Sequence, residues 1–332
     1  MKQPVRMVEI WRGDFLESYH TGHAVICDMS GEIVEAWGDP NQIILPRSSS
    51  KIIQALPLIE SGAANAFGLT SEQLALSCAS HQGAYIHTSR VQNWLSNLEL
   101  NDSHYRCGNQ EPSDRAAREE LIRLDLKPCQ YHNNCSGKHT GFLTLNSYLK
   151  GSSEYTDSDH LVQLSVREAF EDLTETENLG YAIDGCSAPN FATTVHGLAR
   201  AMSKMSTPRL STSRGKAFTD LVNAMMKHPE LVAGEGRACT ELMRAMEGKV
   251  AVKTGAEAVF VAILPEVGLG IALKISDGST RAAESAITGL LIKYGALDRN
   301  HPTALKWLSG PIKNWRNTIT GRMALSSEFI SV

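Results

Sequence analysis

Ser48 and Lys51 are three positions apart in a stretch where Ile52, Ile53, Leu56 and Ile59 recur at helical spacing, with Gly62 as a stop. Residues at i and i+3 share one face of a helix, so a hydroxyl and an amine placed there can meet. A neutral amine can take the hydroxyl proton while the serine attacks a carbonyl. Taken alone the spacing says little. Ser213 and Lys216 repeat it at the end of the polar, turn-rich stretch 206–215, which reads as a surface loop.

Lys253-Thr254-Gly255 gives the first pair weight. S-x-x-K on an early helix with K-T-G on a late strand is the pairing used by serine β-lactamases and penicillin-binding proteins, and here order and context both fit. Gly255 is expected to let substrate approach the strand, and Lys253 to set a second positive charge near the first. Such a mechanism requires a lysine tuned from about 10.4 toward about 7–8, which burial and a neighbouring cation both promote. No Ser-Asp-Asn triplet completes the set. Ser158-Asp159-His160 lies in a polar loop, so Ser80 in Cys78-Ala79-Ser80-His81 is the candidate for the middle hydroxyl. The plain alternative is a buried serine bonded to backbone.

A third constellation joins His132-Asn133-Asn134-Cys135-Ser136-Gly137-Lys138-His139 to Asp184-Gly185-Cys186. Cysteines in polar, glycine-containing loops are unlike ordinary buried thiols, and soft zinc ligands are the alternative. Chemistry alone selects Cys135, Cys186 and either His132 or His139.

These groups need a framework. The chain has 332 residues, 42% hydrophobic and 20% charged, enough for a large core in one big domain or two small ones. A net charge of −4 gives no global field for nucleic acid. Near the end, Lys306, Trp307, Lys313, Trp315, Arg316 and Arg322 interleave cations with aromatics, which reads as a partly exposed closing segment. No apolar run reaches the roughly 18 residues of a membrane span, and the N-terminus enters a charged segment rather than a signal core. Seven scattered cysteines with no C-x-x-C pair point to a reducing cytoplasm.

Strand signals at 23–27 and 32–37 flank a turn, and three more follow at 249–254, 259–264 and 269–275. Between them, helix starts at Thr70 with Gln73 and at Pro112-Ser113 mark a long helical stretch, and an amphipathic helix covers 279–294. Neither set of strands buries its apolar face alone, so N- and C-terminal strands must meet in one antiparallel sheet. The expectation is a single α/β domain over 1–332 with a helical insert at about 65–247.

Together these segments resemble the rhizobial-type (class 3) L-asparaginases of the asparaginase II family. The resemblance runs through Pro46-Arg47-Ser48-Ser49-Ser50-Lys51, the Ser80, Cys135 and Cys186 segments, His228-Pro229-Glu230-Leu231-Val232-Ala233-Gly234-Glu235-Gly236-Arg237, Lys253-Thr254-Gly255-Ala256-Glu257 and Leu273-Lys274-Ile275-Ser276-Asp277-Gly278. It implies a serine β-lactamase/glutaminase-like fold, hydrolysis of L-asparagine to L-aspartate and ammonia, and a homodimer. It also implies Ser48 as a nucleophile paired with Lys51, and Ser80 paired with Lys253. Zn2+ would be held by Cys135, Lys138 and Cys186, with Asp184 behind them, and Arg47, His81 and Asp184 would serve the substrate. A lysine ligand replaces the histidine that chemistry alone selects, and it must be deprotonated to bind metal. The neighbouring readings are a glutaminase, a penicillin-binding or β-lactamase-like hydrolase, and a zinc-stabilised binding protein without catalysis.

Overall fold

In a computed structural model, which describes residues 2–177, 179–207 and 210–332, all eight strands of the main sheet are antiparallel and come from the two ends of the chain. Across the sheet the order is Pro311–Lys313, Ile319–Leu325, Val5–Arg12, Phe15–Cys27, Leu269–Ile275, Val259–Leu264, Ala251–Gly255. Ile33–Trp37 pairs with the later half of Phe15–Cys27 across the expected turn. Every residue of Val259–Leu264 is buried, so this strand is covered on both faces. The helices Val195–Ser206 and Thr280–Lys293 pack against it.

The chain forms two compact units. The first, Met1–Ser49 with Thr193–Thr207 and Glu241–Val332, holds the sheet. The second, Ser50–Ala192 with Pro208–Thr240, is mainly helical. Helix Val195–Ser206 falls within the expected insert but belongs to the sheet unit. The second unit also carries a two-stranded ribbon, Tyr181–Ile183 with Pro189–Phe191.

Several expectations hold at the level of single residues. Thr70 and Gln73 form the reciprocal capping box of Ser71–Ser77. Asp114 caps Arg115–Arg123, and Thr280–Lys293 matches the predicted late helix. Others change. The helix expected across 48–59 is a 3-10 turn, Arg47–Ser50, followed by two short helices, Lys51–Gln54 and Leu56–Glu60. Pro57 explains the interruption, because it lacks an N–H and its ring crowds the preceding turn.

The charged N-terminal segment contains the strand Val5–Arg12, in which Met7, Val8 and Ile10 face the core. Its interspersed Arg6, Glu9 and Arg12 mask the alternation. Ser213 and Lys216 lie in a helix, Ser213–Lys227, because the Thr212 hydroxyl caps the Gly215 N–H at 3.0 Å. Of the stretch 206–215, Pro208 and Arg209 lie outside the described residues. No helix among the described residues is long and apolar enough to cross a membrane.

Candidate active site

Ser48 sits half-buried in the 3-10 turn of the sheet unit. Ser49 secures that turn by donating its hydroxyl to the Pro46 carbonyl at 2.6 Å. Arg47 adopts φ 54, a left-handed conformation unusual for a residue with a side chain. The strand bearing Lys253-Thr254-Gly255 packs directly on the turn. A Cβ at Gly255 would lie 2.6 Å from the Pro46 oxygen and 3.0 Å from the Ser49 nitrogen. The close approach that demands this glycine is therefore made by the protein's own backbone rather than by a substrate. Lys253 is 1% exposed and donates to the Thr254 carbonyl at 2.7 Å. Beside Arg47, a cavity of about 520 Å³ is lined by His23, Ile43, Leu45, Glu257 and Lys274 among others. Two cations and a carboxylate at its wall suit a small charged ligand.

The helical unit builds its own cluster around Lys51, which is 1% exposed. Its amine donates to the Ala79 carbonyl at 2.5 Å, to Ser80 Oγ at 3.0 Å and to Cys135 Sγ at 3.0 Å. Glycine at 137 makes this convergence possible. A Cβ there would lie 2.3 Å from the Leu76 carbonyl oxygen, so only glycine lets helix Ser136–Leu149 sit against helix Ser71–Ser77. The second helix leads into Ala79 and Ser80, while the first starts just after Cys135. The Ser80 loop is pinned by backbone bonds from Ser80 N–H to the Val232 carbonyl at 2.8 Å and from His81 N–H to the Asn134 carbonyl at 3.1 Å.

Cys135 and Cys186 lie within hydrogen-bonding reach of each other, both 4% exposed. The Cys135 thiol donates to Asn134 Oδ1 at 2.9 Å, and within the pair Cys135 is pushed up while Cys186 is held well below the usual thiol range. Lys138 donates to Cys186 Sγ at 3.1 Å. Burial alone would lower Lys138, but the charges of Cys186 and Cys135 outweigh it and raise the amine, with a smaller contribution from Asp184. Asp184 accepts the Gly185 N–H at 2.7 Å.

No three His, Cys, Asp or Glu side chains converge as a metal site among the described residues. A third donor beside the two sulfurs must come from outside that group, and the Lys138 amine is at hand. Two soft sulfurs fit zinc by their chemistry, and the Lys138 amine could join them only on giving up the proton that the sulfurs favour. Of the two histidines that chemistry alone offered, His132 turns its Nδ1 to the Cys129 backbone N–H at 3.1 Å. His139 is fully buried, with Nδ1 at 2.9 Å from the Tyr155 hydroxyl.

His81 is 1% exposed, and both ring nitrogens serve the fold. Nδ1 accepts the Gly83 N–H at 3.1 Å, so Nε2 carries the proton and donates it to Ser136 Oγ at 2.9 Å. Burial, helped by His87 and Lys51, holds the ring neutral by pushing it well below the usual histidine range. No ring nitrogen is left for a substrate. Ser136, Tyr155 and the Ala79 carbonyl carry no chemical signature of their own in the sequence, and only packing reveals their part.

The sequence profile of the L-asparaginase II family matches residues 8–325. No curated protein sequence matches the chain. Among solved structures, a Bacteroides dorei DSM 17855 protein described as a β-lactamase is similar at TM-score 0.45 and 10% identity, over 80% of this chain and 92% of its own. A Mycobacterium bovis β-lactamase gives 0.44 and 11%, over 82% and 94%. Mglu in its tris and glutamate form gives 0.41 and 11%, over 90% and 63%.

Proposed function

The chain belongs to the L-asparaginase II family, and on that footing we propose that it hydrolyses the side-chain amide of L-asparagine to L-aspartate and ammonia, with Ser48 as nucleophile. The observation that carries the mechanism is Lys51. An amine buried to this degree and aimed at a serine hydroxyl is costly to keep and has a clear use in moving protons.

In this reading Lys51, three residues along the chain from Ser48, accepts the Ser48 proton as the oxygen attacks the amide carbon. The C–N bond then breaks, Lys51 returns a proton to the departing nitrogen, and ammonia leaves an aspartyl ester on Ser48. Water attacks the ester, its proton passing to the same amine; the bond between the acyl carbon and Ser48 Oγ breaks, the amine returns the proton to Ser48 Oγ, and L-aspartate is released. Ser80 already accepts a Lys51 N–H and provides the relay, with Lys253 as its partner. Backbone N–H groups at the 3-10 turn would hold the oxyanion. Arg47, on the wall of the charged cavity, would take the α-carboxylate. His81 supports the Ser80 loop instead of touching substrate.

Cys135, Cys186 and Lys138 would hold zinc, which when bound would orient substrate. Asp184 acts on Lys138 through its charge. A homodimer in a reducing compartment completes the proposal. Free cysteines at all seven positions support the compartment.

Ammonia release from asparagine, glutamine and a β-lactam, with and without chelator, tests the reading. One methylene separates the first two, worth about 10–200-fold in a fitted pocket. Purified Ser48→Ala should release almost no ammonia, and substantial release would overturn the assignment. Mass added to Ser48 by the β-lactam without asparagine turnover would place the chain with the penicillin-type hydrolases.

A further inference from the structure

We propose that His23 is a specificity-determining residue of the charged cavity, donating its Nε2–H to the α-carboxylate of an amino-acid substrate beside the ammonium of Lys274. The cavity lies wholly within the sheet unit, and His23, 5% exposed, forms part of its wall. Nδ1 of the ring accepts the Asp39 backbone N–H at 2.8 Å. A backbone N–H can only donate, so Nδ1 is bare and the proton of the neutral ring sits on Nε2. Burial pushes the ring below the usual histidine range, which keeps it neutral. Glycine at 38 lets the backbone close on the Nδ1 edge, since a Cβ there would run into that nitrogen.

The opposite edge of the ring is left to the cavity. No protein group among the described residues bonds to Nε2, and that nitrogen is not sealed from solvent. A buried ring with an open N–H at a cavity wall offers a ligand one fixed donor. Lys274 pairs with His23 across neighbouring strands, so both side chains stand on one face of the sheet. Lys274 gives two of its three N–H groups to the Ile275 carbonyl at 2.7 Å and to the Glu257 carbonyl, which leaves the third. A neutral N–H beside an ammonium suits a carboxylate, whose two oxygens accept from several donors at once. Glu257 puts a carboxylate on the same wall, so an ammonium on the ligand has a partner too. A small ligand with both groups is an amino acid. That it is asparagine or aspartate rests on the activity proposed above, in which Arg47 meets the same α-carboxylate; the donor at Nε2 does not.

Two substitutions separate the donor from the fold. His23→Asn places an amide oxygen where Nδ1 accepts the Asp39 N–H, and nothing where Nε2 donates. His23→Gln does the reverse, with an amide N–H near the Nε2 position. Titration calorimetry on the full chain with L-aspartate, the product, reads affinity without turnover. His23→Asn should bind it about 10–100-fold more weakly than wild type and melt close to wild type. His23→Gln should bind within about threefold of wild type and melt lower. β-Alanine, which is L-aspartate without its α-carboxylate, should bind wild type and His23→Asn equally. The KM for L-asparagine should follow the order of the L-aspartate affinities, with kcat changed less.

Unchanged L-aspartate affinity in His23→Asn, or losses in the two variants that follow their melting temperatures, would overturn the proposal. Should His23→Asn not fold, 15N-histidine-labelled wild type decides. L-aspartate should then shift one Nε2–H signal, the one missing from His23→Gln, and no shift overturns the proposal. Turnover of asparagine that is indifferent to His23 sinks this inference alone. A wild type that neither binds L-aspartate nor turns over asparagine sinks the proposed activity as well.

Discussion

Replacing Lys51 by methionine separates catalysis from folding. The amine, 1% exposed, makes bonds of 2.5 Å to the Ala79 carbonyl and 3.0 Å to each of Ser80 Oγ and Cys135 Sγ. Each hydrogen bond is worth about 0.5–1.5 kcal/mol net, so the loss of three costs about 2–5 kcal/mol in total. Burying the polar amine costs about 1–3 kcal/mol, which its removal returns, and methionine fills nearly the same volume without strain. The two terms nearly cancel, leaving a net change within about 2 kcal/mol. For a chain of this size that is at most about 8 °C in Tm. Turnover should fall about 10³-fold or more, because a thioether cannot take up the proton that the proposed mechanism gives to Lys51. Ammonia release and a thermal melt on the same preparation report both quantities. More than a tenth of wild-type turnover would refute the base assignment. A Tm loss well beyond about 10 °C would show the amine to be mainly a structural strut.

Other perturbations have defined outcomes. Gly137→Ala would press a methyl to 2.3 Å from the Leu76 carbonyl oxygen, force the two helices apart and cost about 2–3 kcal/mol, visible as a lower melting temperature and as disturbed thiol reactivity. Cys186→Ser should lose bound zinc while the protein still melts cooperatively, measured by metal analysis after dialysis against the zinc-loaded wild type. Arg90, 2.9 Å from Glu72, holds that carboxyl below its usual range. A depressed carboxyl pKa contributes stability above its unfolded value of about 4.3, and the contribution is lost as pH falls through the folded value. Between about pH 5 and pH 3 the melting temperature of Arg90→Met should therefore fall less steeply than that of wild type. The difference should stay below about 0.5 kcal/mol, since Glu72 is 42% exposed and salt screens the pair.

Much of this protein is legible in its sequence because local signals decide it. Short apolar runs at 259–264 and 269–275, joined by the turn Pro265-Glu266-Val267-Gly268, read as strands, and Thr70 with Gln73 closes a capping box using four consecutive residues. The Lys253-Thr254-Gly255 and Cys135 segments stand out because their residue types have few structural uses together. Tertiary structure alone decided the rest. Gly255 and Gly137 read as ordinary glycines until the Pro46 and Leu76 carbonyls lie within a methyl's radius of them. His81 reads as a substrate contact until Gly83 and Ser136 occupy both its nitrogens. The upward shift of Lys138 and the downward shift of Cys186 come from neighbours 48 positions apart in the chain. A sequence fixes which groups can ionise or bond, while burial and distance determine which of those states each group adopts.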